Sequence, residues 1–174
     1  MLKKAFNGVE VELAKGDIAR QNDMTAVVNA ANARLEMGGG VAGALHMAAG
    51  PGLAEECRPM APIKPGEAVI SGGHNLPNKY VIHCLGPIYG RDEPADKLLA
   101  DCYCNALKLA DEHKIDAIAF PAISTGAFGF PLKEAARIAL QVIRDQAPQL
   151  EYVKKIRLVL YSQSDYEAYE ELMG

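Results

Sequence analysis

Val27-Val28-Asn29-Ala30-Ala31-Asn32, followed after a short loop by Gly38-Gly39-Gly40-Val41-Ala42-Gly43-Ala44-Leu45-His46, sets a buried apolar run, a glycine triplet and an alanine-rich helical pattern in immediate succession. The apolar run has the character of a strand covered on both faces. Glycines let a backbone adopt positive φ and approach a ligand closely, and free N–H groups at a first helical turn, helped by the helix dipole, favour anionic oxygens. A glycine triplet alone is equally a flexible surface loop; its place between a strand and a helix is what makes it an anion site. G-x-x-x-x-G-K-S/T is absent, and no G-x-G-x-x-G opens a helix directly after a strand, so neither a P-loop nor a dinucleotide fingerprint is present.

The same design recurs downstream. The strand Ile118 to Phe120 runs through Pro121-Ala122-Ile123-Ser124-Thr125-Gly126-Ala127-Phe128-Gly129-Phe130-Pro131 into another helical pattern. Two such loops at one end of a sheet can clamp a diphosphate, since ligands of open α/β sheets bind outside the carboxyl ends of the strands. Ser124 and Thr125 offer hydroxyls there, Phe128 is the aromatic expected to cover a sugar ring, and Phe130 is expected in the core.

Further strands are expected at Val9–Leu13 (an outer strand, alternating apolar with acidic), Ala26–Asn29, Ala68–Ser71, Tyr80–Cys84, Ile115–Phe120 and Ile156–Tyr161. Helices fit Val41–Ala49, Leu53–Arg58, Ala95–His113, Leu132–Gln146 and Asp165–Leu172, with Pro94 and Pro131 marking two starts. Strands alternating with helices define an α/β layer fold: a three-layer α/β/α sandwich around a central mixed sheet of about six strands. Pro59 to Gly66 reads as a surface connection because strand pattern resumes directly after it, so residues 1–174 are expected to form a single domain.

A formal net charge of −4 supplies no basic field for a nucleic-acid backbone, and nucleic acid is not the leading partner. Met1 to Glu10 lacks the apolar core of a signal peptide, and no stretch approaches the roughly 18 apolar residues of a membrane span. A cytoplasmic protein, monomeric and without a membrane partner, is the expectation. Cys57, Cys84, Cys102 and Cys104 match neither a zinc ribbon nor a secreted disulfide framework. Reduced thiols, no metal and no cofactor are expected. His83, within a strand, is expected to be a hydrogen-bonded core residue, and Asn29 to satisfy backbone groups at its strand end and support Asn32.

Four blocks in order, Gly16-Asp17-Ile18, Val28 to Asn32 with Gly38 to Leu45, Gly73-His74-Asn75-Leu76-Pro77 with Tyr80-Val81-Ile82-His83, and Ser124 to Pro131, resemble the macrodomain family, which binds ADP-ribose. The resemblance implies that the partner is ADP-ribose or an ADP-ribosylated protein. It implies that Asp17 accepts from the adenine amino group with Ile18 beside it, and that Asn32 binds the distal ribose. It further implies that Gly38, Gly39, Gly40 and Val41, with Ser124, Thr125, Gly126, Ala127 and Phe128, hold the diphosphate, and that Tyr161 packs on adenine.

Many macrodomains hydrolyse what they bind, and the residues implied in turnover are Asn32, Gly40 and Phe128. Where the branch resembling bacterial deacetylases has an aspartate that helps activate water, this chain has Ala42, which has no side-chain acceptor. The loop is similar to that of viral macrodomains, which also carry alanine there and in which a bound phosphate positions the water, although Met37 stands where that pattern has a histidine. His46, one turn beyond Ala42 on the same helical face, is a further candidate base whose place along the helix lies nearer the core. The expected function is hydrolysis of mono-ADP-ribose esters on proteins, or of O-acetyl-ADP-ribose; the alternative is a non-catalytic reader of ADP-ribosylated proteins. A valine at Gly39 is expected to block diphosphate binding.

Overall fold

In a computed structural model that describes residues 1–174, the chain begins with a hairpin. Asn7 and Gly8 take positive φ of 50° and 84°, the two-residue turn whose twist matches that of the flanking strands. They join β1 (Leu2–Phe6) to β2 (Val9–Lys15) in antiparallel register, Phe6 opposite Val9 and Leu2 opposite Leu13. The expected outer strand is therefore second from the edge, and the sheet has seven strands, more than the sequence leads one to expect. Lys3, Lys4 and Ala5 are all exposed, so β1 has little of the apolar pattern that announces a strand; charge on an edge strand discourages pairing with other chains.

The remaining strands are β3 (Ala26–Ala30), β4 (Ala68–Gly72), β5 (Tyr80–Cys84), β6 (Ala117–Phe120) and β7 (Lys155–Leu160), in the order β1-β2-β7-β6-β3-β5-β4. The five inner strands are mutually parallel, and both edges are antiparallel. The helices are α1 (Gly40–Ala49), α2 (Gly52–Cys57), α3 (Ala95–Glu112), α4 (Leu132–Gln146) and α5 (Gln163–Met173). All five expected helices are present, and their ends move by no more than about two residues, the usual latitude of helix termini. Ser162 caps α5 by accepting from the Asp165 amide at 3.2 Å, which starts that helix earlier than its apolar pattern does.

Strand side chains alternate between two cores. Val28, Ile82, Ile118, Ile156 and Leu158 meet α3, α4 and α5 on one face, while Val27, Val81, Ala117, Ala119 and Val159 meet α1 and α2 on the other. This is the expected α/β/α sandwich, with the strands buried on both sides. Phe120 closes β6 fully buried, its ring 5.2 Å from that of Tyr103 on α3. Truncating it to alanine removes an aromatic that no neighbour can replace. Phe120→Ala is expected to lower unfolding free energy in urea by about 3–5 kcal/mol, whereas Leu172→Ala, on a residue 38% exposed, changes it by less than about 1 kcal/mol.

Candidate functional site

Because the inner strands are parallel, the chain segments leaving β3, β6 and β7 emerge at one edge of the sheet. After β3, Ala31 donates to the Cys84 carbonyl at 2.8 Å, and Asn32 then closes the loop on itself. Its Nδ2 donates to the Glu36 carbonyl at 2.8 Å and its Oδ1 accepts from the Glu36 amide at 3.0 Å. One N–H and one oxygen lone pair of the amide remain for a ligand. Gly38 lies against it, where a Cβ would stand 3.1 Å from Asn32 Nδ2.

The hydrogen bond that opens the helix runs from Gly43 N–H to the Gly39 carbonyl at 3.2 Å, and the amides from Met37 to Ala42 have no acceptor in the protein. Gly40 takes φ +55° at this turn, a conformation that disfavours any side chain. Gly39, by contrast, has φ −85°, and a Cβ there would meet nothing within 4 Å. The backbone requirement for glycine thus falls on Gly40, one residue beyond the position that the sequence marks.

The loop after β6 carries a second run of free amides. Gly129 donates to the Gly126 carbonyl at 3.0 Å and Phe130 to that of Ser124 at 2.9 Å, while the amides of Ser124, Thr125, Gly126, Ala127 and Phe128 have no acceptor. The expected hydroxyl donors do not face outward. Thr125 donates its hydroxyl to the Ala122 carbonyl at 3.0 Å. Ser124, at φ +67°, has its Oγ buried and unpartnered against Gly86, where an added Cβ would collide with it. Phe130 is in the larger core as expected, and Phe128 is half-buried against the smaller one.

Both loops border a cavity of about 530 Å³ walled by Gly40 and Val41 from the first and by Ala122, Thr125 and Gly126 from the second. Its other walls include Asp17, Ile18, Ala44, Tyr161 and Asp165. Asp17 caps the short turn Ile18–Arg20, its Oδ1 accepting from the Ala19 amide at 2.9 Å, and Ile18 is buried. Tyr161 follows β7 and is 86% exposed, so its ring is free to cover a ligand rather than packed in the sheet. Asn32, Gly38, Gly39, Ala127 and Phe128 are beside this cavity in sequence but not among its walls. Asp165, a wall residue that sequence reasoning passed over as a helix-start acid, is the only charged one besides Asp17.

The Macro domain family model matches residues 28–139. A macro domain-containing protein of Caldanaerobacter subterraneus subsp. tengcongensis is 49% identical over 172 residues, covering 94% of this chain and 97% of its own. A solved Oceanobacillus iheyensis macrodomain with ADP superposes with a TM-score of 0.94 at 39% identity, covering 99% of this chain and 94% of that one. A Trypanosoma brucei macrodomain in complex with ADP-ribose does so with a TM-score of 0.88 at 34% identity, covering 94% of this chain and 69% of that one. The chain belongs to the macrodomain family. No helix is long and apolar enough to cross a membrane.

Behind the glycine turn, α1 buries His46 in the core, with its Nε2 unpartnered. Asn29 does not serve backbone groups; its Nδ2 donates to His83 Nδ1 at 3.1 Å, and His83 Nε2 meets Ser71 Oγ at 2.9 Å and Cys57 Sγ at 3.4 Å. With Nδ1 accepting, the proton of neutral His83 is on Nε2. Burial, and secondarily the charge of His46, pulls the His83 pKa from 6.5 down to about 3. A folded-state value below the unfolded one means that unfolding takes up a proton, so this stabilisation is complete above pH 6.5 and declines as pH falls toward 3. Urea unfolding should therefore show a loss on the order of 2 kcal/mol between about pH 6.5 and 4.5, and His83→Gln should flatten that slope.

Proposed function

We propose that this macrodomain binds ADP-ribose in the cavity between the two glycine-bearing loops and hydrolyses mono-ADP-ribose esters on proteins or O-acetyl-ADP-ribose. The observation that carries the reading is the pair of facing amide runs, Met37 to Ala42 and Ser124 to Phe128, left without acceptors at the ends of β3 and β6. Backbone amides at a helix start suit phosphate oxygens, and the cavity has no basic side chain that would do the work instead. The diphosphate lies along Gly38 to Val41 and Ser124 to Phe128, the adenine lies against Ile18 and Tyr161 with its amine toward Asp17, and Asn32 holds the distal ribose with its free N–H and lone pair. The macrodomains solved with ADP and with ADP-ribose support the choice of ligand.

For an ester at the distal ribose, water adds at the acetal carbon, the carbon–oxygen bond to the protein carboxylate breaks, and the carboxylate leaves. The proton of the water passes to a phosphate oxygen of the substrate, because Ala42 offers no acceptor and His46 is buried in the core. The chain contributes orientation and amide stabilisation of developing charge, with Gly40 and Phe128 shaping the turn against which the ribose sits. That same absence of a side-chain base favours the second reading, a reader that binds and does not turn over.

Calorimetry with ADP-ribose is expected to show saturable binding, and Gly40→Val to weaken it by at least tenfold; wild-type protein that takes up no ADP-ribose overturns the site. Incubation with a protein mono-ADP-ribosylated on glutamate is expected to release ADP-ribose, and binding without release leaves the reader. Asn32→Ala is expected to reduce that release at least tenfold. It should also cost about 1 kcal/mol of stability, because the Glu36 backbone loses its cap.

A further inference from the structure

A buried arginine sits behind the segment that carries Asp17. Arg157 on β7 is opposite Glu12 on β2, and both are almost fully buried. Its guanidinium donates from Nε to Glu12 at 2.8 Å, from Nη1 to Gln21 Oε1 at 3.0 Å and to Asp23 Oδ1 at 2.7 Å, and from Nη2 to Asp23 Oδ2 at 2.7 Å. Gln21, itself buried, passes the contact on: its Nε2 donates to the Asp17 carbonyl at 2.8 Å. The Asn78 side chain holds the same segment from its other side, donating to the carbonyls of Gln21 and Met24, each at 2.7 Å.

We propose that Arg157 and Gln21 are positioning residues that orient the Asp17 carboxylate and thereby set selectivity for the nucleobase. The inference rests on the reading above that Asp17 meets the adenine amine. Asp17 is half-exposed; its Oδ1 accepts from the Ala19 amide at 2.9 Å, and its Oδ2 has no hydrogen bond, only the exposed Arg20 Nε at 3.9 Å. Where Oδ2 points depends on the Asp17 backbone, and that backbone is pinned at its carbonyl by Gln21 Nε2 and by the Arg20 amide at 3.0 Å. The Asp17 carbonyl takes the nitrogen of the Gln21 amide and the Arg157 guanidinium takes its oxygen, so both partners select the same flip state. A buried ion network is seldom more stabilising than a well-packed apolar replacement. Its donors, however, have fixed directions, which an apolar patch does not supply.

The test uses ADP and inosine diphosphate, which differ along one purine edge: position 6 is an amine donor in the first and a carbonyl acceptor in the second, and position 1 is an acceptor in the first and an N–H donor in the second. A correctly held carboxylate favours ADP, and wild-type protein is expected to bind it about tenfold more tightly, the effect of one oriented charge-assisted hydrogen bond. Gln21→Met keeps the bulk and removes both polar contacts. It should bring the ratio below about threefold with affinity for inosine diphosphate close to wild type; Arg157→Lys should act in the same direction. Gln21→Met that retains the wild-type ratio overturns the relay, as does an equal loss for both nucleotides. Wild-type protein that binds both nucleotides equally would instead show Asp17 to be misassigned and would remove the basis of the relay, while the calorimetry with ADP-ribose decides the site itself.

Discussion

Peptide groups that finish a parallel strand and have no further ladder to join must find another partner, and this sheet collects such groups in one place. β3 and β6 are neighbours and parallel, so the loops that leave them border the same cavity, one opening α1 and the other leading to α4. Nothing in the protein accepts from Met37 to Ala42 or from Ser124 to Phe128. Backbone donors are strong hydrogen-bonding groups, and the first of these runs is exposed to solvent from Met37 to Gly40. The alternation of the two cores, α3, α4 and α5 on one face and α1 and α2 on the other, keeps those ends rigid from both sides.

The charge distribution agrees with an amide-based site. A chain of net charge −4 does not draw phosphate by its overall field, and the only charged walls of the cavity are Asp17 and Asp165. A carboxylate disfavours phosphate beside it and offers an acceptor to a group that can donate.

What could be read from the sequence follows the strength of local patterns. The inner strands and all the helices carry apolar runs with a clear period, and they stand where those runs place them. β1 escaped because its side chains are mostly exposed and its signal was the Asn7-Gly8 pair rather than any hydrophobicity. Glu12 looked like the polar face of an outer strand, yet it is buried; its partner Arg157 lies far along the chain, and no local window contains both. The glycine turns were legible because conformation restricts the residue type, but which glycine bears the restriction depends on φ, and the pattern alone did not separate Gly39 from Gly40. Hydroxyls were the weakest inference. Ser124 and Thr125 are the right residue types in the right loop, but a hydroxyl rotates toward whichever acceptor the fold supplies, and for Thr125 that is the Ala122 carbonyl. Gln21 gave no signal at all, since its importance lies entirely in contacts to residues from other segments.

Asn32 joins the structural and chemical halves of the site. It stands on the loop between β3 and α1, and both atoms of its amide already bind the Glu36 backbone, so its orientation is set before any ligand arrives. A side chain free to rotate would lose conformational entropy on gripping a ribose; one that is already fixed does not. Ala42, just inside the helix, is buried and has no side-chain acceptor. The chemistry that remains open to such a site is the kind in which geometry is supplied by the chain and basicity by the substrate, and a preset asparagine beside a cradle of amides is suited to that division.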